Sequence, residues 1–449
     1  MQTTLFENSK VTNGFRDPAF AKNKVLPLHR WVPWIAGFSA PFVQDCLGTY
    51  ISSRRKKNAW VLDPFAGVGT TLVEAYLRGL NGVGFEINPY AALASKLKLQ
   101  AHCIDPGSLR AAIGAFEIFM EHRCGLNPRC KSAPKTVPPN GFSGRSELFS
   151  SRIERQVLFA IDFIDTIGDR RIKDLFRLAL GSVMVSFSNY SYEPSLTRRA
   201  AVGKPAITDA PVDAVVSAKL KLMLEDIEWA RGVVRSLPKT PRGQVVEASF
   251  FTATEQLGRR AFADLVVTSP PYLNNYHYPR NTRPQLHWLG FSSGKGYNGA
   301  READSFGKFW QTVRTLPAVQ LTFPHAELES AIETIRGLNL ETGCYGGPGW
   351  ANYVATYFND VDRFCGTLRQ LLRTGATAVI VLGNSIIQGV EIQTDRLCGE
   401  IAARHGLKFK ETIVLREKRT GSSIIRSSVR VDKAASRTVL YESAVILRR

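Results

Sequence analysis

The sequence predicts an α/β fold built on a doubly wound sheet, with a mainly helical insertion, and three observations carry that expectation. Apolar runs of strand length recur along the chain and are separated by segments of helical period. The run at 60–62 passes through a glycine turn, DPFAGVGTT, into a helix and a second strand at 82–85, which makes one βαβ unit. Leu265, Val266 and Val267 read as a buried parallel strand that meets two consecutive prolines in Thr-Ser-Pro-Pro-Tyr, residues 268–272. Prolines cannot donate ladder hydrogen bonds, so this strand has to end there and leave a rigid turn at its tip.

The elements follow in order. Residues 1–25 are polar and irregular and are expected to form an arm. An aromatic-rich stretch, LPLHRWVPWIAGFSAPFVQDCLGTYI, ends in a helix expected over 41–51. After the βαβ unit (helix 71–80), an insertion covers 104–236. It holds a Pro/Gly/Ser loop at 133–147, then a helical period through 148–187, with Leu158, Ile161, Ile164 and Ile167 at core spacing. A polar stretch at 188–205 and a helix at 212–235 complete it. The sheet resumes at 244–248 and 264–268. A second excursion, glycine-rich at its end, occupies 290–350. A helix at 353–372, a strand at 376–382, the turn GNSIIQG, a helix at 394–405 and strands near 410–415 and 439–447 close the chain. The principal domain is thus expected from 26–103 together with 237–449.

Bulk properties narrow the function. Lys and Arg total 58 against 39 Asp and Glu, a net charge of +19, which favours a polyanionic partner such as nucleic acid. The basic residues cluster at Arg54, Arg55, Lys56 and Lys57, at Arg198 and Arg199, and between 416 and 430. No apolar run is long enough to span a membrane, and the first ten residues lack the pattern of a signal peptide. Seven cysteines, an odd number, fit a reducing cytosol.

The two turns suggest the chemistry. Gly67 and Gly69 let the backbone turn tightly and approach a ligand without Cβ clashes. Asp63, at the tip of the first strand, can pair with a cationic amino group. Glu86, at the end of the next strand, can accept from ribose hydroxyls. The implied ligand carries a ribose and an ammonium. At the proline turn, the Ser269 hydroxyl, the Pro270 carbonyl and the Tyr272 ring can grip a planar group bearing an exocyclic NH2, which describes a nucleobase.

DPFAGVGTT together with TSPPY resembles the S-adenosylmethionine-dependent DNA amino-methyltransferases, which methylate cytosine N4 or adenine N6. The resemblance extends to HRWVPWIAGFSAPFV, similar to the segment that packs on the cofactor's methionine, and to GATAVIVLGNSIIQG, residues 375–389, similar to a strand and turn that support the site. It implies a Rossmann-like methyltransferase sheet and S-adenosyl-L-methionine as cofactor. The cofactor-binding residues it implies are Phe38, Ser39, Asp63, Pro64, Phe65, Ala66, Gly67, Gly69, Thr70, Thr71, Glu86, Asn88 and Ser249. The catalytic residues it implies are Ser269, Pro270, Pro271 and Tyr272. The substrate would be double-stranded DNA with the target base flipped out of the duplex. The setting would be a restriction-modification system with a cognate endonuclease, or an orphan epigenetic mark, in a bacterial cytoplasm near the nucleoid.

Ser at the first motif position is more similar to the cytosine-N4 group than to the adenine-N6 group. Adenine-N6 methylation of DNA and methylation of an RNA exocyclic amine remain the alternatives. Cytosine C5 chemistry needs a thiolate, usually from a Pro-Cys pair, and no cysteine here follows a proline. The acidic residue the family carries after its third strand is displaced here, and Glu247 or Ser249 would stand in. Asn275, Tyr276, His277 and Tyr278 could line the base pocket. The 104–236 insertion is the candidate DNA-recognition region, and Arg198 and Arg199 beside Tyr190 and Tyr192 mix charge with aromatics as nucleic-acid surfaces do. The loop at 418–430 could touch phosphates. Cys103, Cys124, Cys130, His102 and His122 do not have the spacing of a common zinc site, so no metal is expected.

Overall fold

The structure is a computed structural model, and it describes residues 11–12, 14–34, 37–52, 58–124, 132–139, 147–193, 195–274, 278–292, 303–418 and 440–449. Residues 54–57, Cys130, Asn275, Tyr276, His277 and 419–430 lie outside that set, as do the expectations that fall on them.

The central sheet has seven strands. In chain order they are β1 (Trp60–Asp63), β2 (Asn81–Phe85), β3 (Gly243–Val246), β4 (Ala263–Thr268), β5 (Leu372–Gly383), β6 (Lys408–Lys418) and β7 (Leu440–Arg448). Their spatial order is β6-β7-β5-β4-β1-β2-β3. Strands β3, β2, β1, β4 and β5 run parallel, and β7 lies antiparallel between β5 and β6. From β1 the chain winds outward through β2 and β3, then restarts on the other side with β4. The switch of direction therefore falls between β1 and β4, and in open α/β sheets ligands bind beyond the strands' carboxyl ends at such a point.

The strands follow from period-two burial on both faces. Val61, Leu265, Val267, Val379 and Val381 face α1 (Ala40–Tyr50), packing on Phe42, Val43 and Leu47. Leu62, Val266, Ala378, Ile380 and Leu382 face the opposite side, against α9 (Gly347–Leu371) and α10 (Thr394–Arg404). All six residues of β4 are buried, and each such aliphatic side chain contributes about 1.5–3 kcal/mol. A charge at Val266 would break this centre.

Helix α2 (Thr70–Leu77) links β1 to β2, and α3 (Pro89–Gln100) follows β2. Asn88 caps α3, accepting from the N–H groups of Tyr90 and Ala91 at 3.1 and 3.4 Å. Between α3 and β3 the insertion forms a helical layer with its own core: α4 (Pro106–Cys124), α5 (Ser151–Thr166), α6 (Arg170–Val183) and α7 (Val212–Arg235). That core also takes in Leu28, Trp31 and Val32 of the N-terminal segment and Ala91, Ala94 and Leu97 of α3.

Several expectations need correction. The single helical period over 148–187 is two helices. Gly168 follows the end of α5, and Asp169 caps α6 by accepting from Arg171 and Ile172 N–H. The polar stretch at 188–205 contains a short antiparallel hairpin, Tyr190–Tyr192 with Leu196–Arg198. Helix α9 starts at Gly347 rather than 353, because Gly346 and Gly347 approach the carbonyls of Asn339, Leu338 and Ile335 too closely for any Cβ. Among the described residues of the second excursion the longest helix is α8 (Ala326–Arg336), packed against α9. No helix among the described residues is long and apolar enough to cross a membrane.

Candidate active site

The site is assembled at the carboxyl ends of β1, β2 and β4. After β1, Gly67 and Gly69 take φ of +50° and +86°, and each lies against a neighbour that leaves little room for a side chain. A Cβ on Gly69 would fall 2.6 Å from Ser95 Oγ, and one on Gly67 would fall 3.2 Å from Trp34 Nε1. Helix α3 holds the turn from below. Ser95 Oγ donates to the Gly67 carbonyl and Lys98 Nζ to the Val68 carbonyl, each at 2.9 Å. Ala66 N–H donates to the Phe85 carbonyl at 2.9 Å, joining the turn to β2.

Two carboxylates close the turn. Asp63 is buried, and its Oδ1 accepts from Phe65 N–H at 3.1 Å and from Thr268 Oγ1 at 2.7 Å. Burial pushes the Asp63 carboxyl up to about 6, against the lowering effect of hydrogen bonds from Thr268, Phe65 and Thr71. Glu86 accepts from Gly67 N–H at 2.8 Å and from Asn88 N–H at 2.7 Å. Burial pushes its carboxyl up to about 7. Those two N–H groups oppose the rise, and the Asp63 charge adds to it. Two neighbouring acids held above their ordinary range are matched by a ligand that brings a cation and hydroxyl donors.

The Thr268–Asp63 hydrogen bond ties the first turn directly to the proline turn. Ser269 and Tyr272 are half-buried there, with Ser269 Oγ 3.4 Å from the Tyr272 hydroxyl. The turn is anchored by fully buried Leu273 and by Tyr357 of α9, whose hydroxyl donates to the Pro271 carbonyl at 3.0 Å. The Pro270 carbonyl accepts no hydrogen bond among the described residues.

Other expected site residues have mixed placements. Pro64 and Ala66 are buried within the turn. The Phe65 ring meets Phe250, Phe306 and Phe364 with centroids 6.3, 5.2 and 5.7 Å away. Thr71 Oγ1 donates to the Val267 carbonyl at 3.1 Å, tying α2 to β4, and Thr70 Oγ1 accepts from Asn23 at 3.4 Å. Ser249 follows β3 beside Phe250, with its hydroxyl donating to the Asp304 carbonyl at 2.6 Å, while Glu247 is exposed and paired with Lys96 at 3.4 Å. Asn23 Nδ2 donates to the Phe38 carbonyl at 3.2 Å and to Thr70 Oγ1 at 3.4 Å, linking the segment of Phe38 and Ser39 to the start of α2. Phe38 packs on Phe42 at 6.0 Å, and buried Ser39 caps α1 while donating to the Asp17 carbonyl at 2.7 Å.

The sequence reading gave no role to Thr268, Trp34, Lys98 or Tyr357. Lys98 had a visible signal: with Ser95 it forms an i,i+3 polar pair, so both lie on the same side of α3 and face the same turn. A small cleft lies beside Trp34, walled by Tyr90, Tyr192, Thr282 and Gln285. Thr282 Oγ1 accepts from Asn88 Nδ2 at 2.7 Å, which connects that wall to the Glu86 corner. No group of three metal-ligating side chains occurs among the described residues.

Comparison with known proteins agrees with this geometry. The DNA methylase family of the N6/N4 type matches residues 12–96, which span the aromatic segment, the glycine turn and Glu86. The type II methyltransferase M.BsoBI of Geobacillus stearothermophilus is 24% identical over 448 aligned residues, covering 90% of this chain and 83% of that one. The type II methyltransferase M.AvaI of Anabaena variabilis is 23% identical over 90% of this chain and 84% of its own. The type II methyltransferase M.MjaII of Methanocaldococcus jannaschii reaches 43% identity over 67 residues, 15% of this chain and 13% of its own. With the paired carboxylates at the switch point, these matches make the chain similar to the N4/N6 DNA amino-methyltransferases, and they imply S-adenosylmethionine as the methyl donor.

Proposed function

We propose that the protein methylates cytosine N4 in double-stranded DNA, acting on a base flipped to the switch point between β1 and β4. The observation that carries this reading is the 2.7 Å hydrogen bond from Thr268 to Asp63, which sets the cofactor acid directly beneath the Ser-Pro-Pro-Tyr turn. S-adenosylmethionine, when bound, supplies an electrophilic methyl group.

The remaining chemistry belongs to the chain. Asp63 receives the ammonium of the cofactor's methionine, and Glu86 its ribose hydroxyls. Gly67 and Gly69 leave backbone where side chains would block approach. Phe65, Pro64 and Ala66 shape the turn, Ser249 lies at the adenine end, and Asn88 orients Glu86 through its N–H. Thr70 and Thr71 hold α2 in place. Phe38 and Ser39 act by fixing the segment that covers the methionine, since the Ser39 hydroxyl is already engaged as a helix cap.

An exocyclic amine conjugated to its ring is a weak nucleophile. Hydrogen bonds from its two N–H groups to Ser269 Oγ and the Pro270 carbonyl would favour a tetrahedral nitrogen whose lone pair is free of the ring, ready for the methyl group that the cofactor would supply. Alignment of this kind lowers a barrier by about 7–11 kcal/mol. Pro271 holds the turn rigid, and the Tyr272 ring stacks on the base. Serine at position 269 favours cytosine over adenine as the target.

The test is methylation of duplex DNA by the wild type and by Ser269→Ala and Tyr272→Ala. Loss of the Ser269 acceptor is expected to lower kcat about 100-fold, the scale of a positioned proton-handling group. Loss of the stacking ring should lower kcat/KM for DNA about 10- to 100-fold. Full activity in either variant would remove the proposed role of that residue. A restriction-modification system with a cognate endonuclease, or an orphan epigenetic mark, is the corresponding biological setting, and host DNA resistant to one endonuclease would support the first.

A further inference from the structure

The buried carboxylate of Asp226 lies on α7, inside the helical insertion and outside the site described above. It accepts from Leu28 N–H at 2.8 Å, from Trp31 Nε1 at 3.0 Å, and from Arg30 through Nε at 3.1 Å and Nη2 at 2.7 Å. Lys219, two turns earlier on the same helix, donates from Nζ to the Arg30 carbonyl at 2.8 Å. The backbone of 28–31 is therefore gripped on one side by α7. On the other side, His29 Nε2 meets Glu74 Oε1 of α2 at 2.9 Å. Three residues after Trp31, the Trp34 indole covers Gly67 of the cofactor turn.

A second route leads from the same carboxylate to the same turn. Lys98 donates to the Val68 carbonyl and is buried. Burial and the Lys219 charge lower the Lys98 ammonium to about 7, and the Asp226 charge opposes that fall. Around this point Asp226 is the buried anion among Arg30, Lys98 and Lys219. Removing its charge leaves cations facing one another and amide, indole and guanidinium donors without their acceptor.

We infer that Asp226 is a positioning residue for the cofactor turn: by clamping residues 28–31 it holds Trp34 on Gly67, so that the helical insertion sets cofactor affinity. The inference rests on the reading of Asp63, Glu86 and the glycine turn as the cofactor site.

The experiment measures S-adenosylmethionine binding by calorimetry on the full chain without DNA, alongside kcat and KM on duplex DNA. Asp226→Asn replaces an acceptor with an N–H2 that faces other donors. It is expected to weaken cofactor binding at least tenfold, with kcat at saturating cofactor and KM for DNA changed less than threefold. Asp226→Glu, which keeps the charge, should recover most of the loss. Trp34→Ala should weaken binding to a similar extent, and the double variant should be no weaker than either single one, because both act through one contact. A folded Asp226→Asn protein with unchanged cofactor affinity overturns the inference, as does full additivity with Trp34→Ala or a loss confined to kcat. If Asp226→Asn fails to fold, wild-type affinity in Trp34→Ala overturns it. Glu86→Ala is the control. If it too leaves affinity unchanged, the cofactor-site reading has failed; if it alone weakens binding, only the clamp has.

Discussion

At the scale of single residues, two acids in the site hold their protons more tightly than bare carboxylates do. Asp63 and Glu86 titrate in the folded chain at about 6 and about 7, above ordinary values of 3.8 and 4.5. The folded state therefore keeps these protons where the unfolded state has lost them. The free protein is stabilised by them at low pH and loses that contribution as pH rises from about 4 to 7. Cofactor binding has the opposite sign, because ionised carboxylates are the acceptors an ammonium and a ribose need. Affinity for S-adenosylmethionine should fall as pH drops from 8 through 7 to 6, and Glu86→Gln should flatten the upper part of that fall. Calorimetry across this range checks both, and a pH-independent affinity contradicts the assignment. Thr268 gives a sharper test. Thr268→Val keeps the shape and removes a hydrogen bond to a buried acid. A bond to a charged group contributes about 1.5–3 kcal/mol, so cofactor affinity should drop about tenfold or more.

At the scale of elements, the turn after β1 is the part most constrained by packing. Gly69 combines φ of +86° with a Cβ position 2.6 Å from Ser95 Oγ. Gly69→Ala is therefore expected to cost about 1–3 kcal/mol of stability, read as a lower urea midpoint, and to weaken cofactor binding. An unchanged midpoint would mean that the turn relaxes freely. Much at this scale was legible in the sequence. The glycine turn, Asp63 and Glu86 announce themselves because a strand tip, a tight turn and an acid at fixed offsets leave few alternatives. The end of β4 was equally plain, since two prolines forbid its continuation. The split between α5 and α6 was not, because apolar spacing runs on across Gly168 and only the Asp169 cap, a tertiary and local choice, breaks it. The side-chain partners of the turn, Ser95 and Lys98, were legible in principle from their spacing. Tyr357 was not, being 86 residues from the carbonyl it holds.

At the scale of the whole molecule, the insertion is not a detachable module. Its core is continuous with Leu28, Trp31 and Val32 ahead of the sheet and with α3 behind the glycine turn. The sequence marked the insertion by a change of period, but the contact between Asp226 and Arg30, 196 residues apart, has no local signal. A chain shortened by joining 105 to 236 should expose that shared core and lose cofactor binding altogether. Retained binding in the shortened chain would show the sheet domain to be self-sufficient. The net charge of +19 acts at this scale too, favouring association with DNA that weakens steeply as salt rises.

The most direct test of the central claim is nucleoside mass spectrometry of duplex DNA incubated with the purified protein and isotopically labelled S-adenosylmethionine. Labelled N4-methylcytosine is expected, strongly reduced with Ser269→Ala. Labelled N6-methyladenine alone would contradict the target assignment, and no labelled exocyclic amine on any DNA offered would contradict the account as a whole.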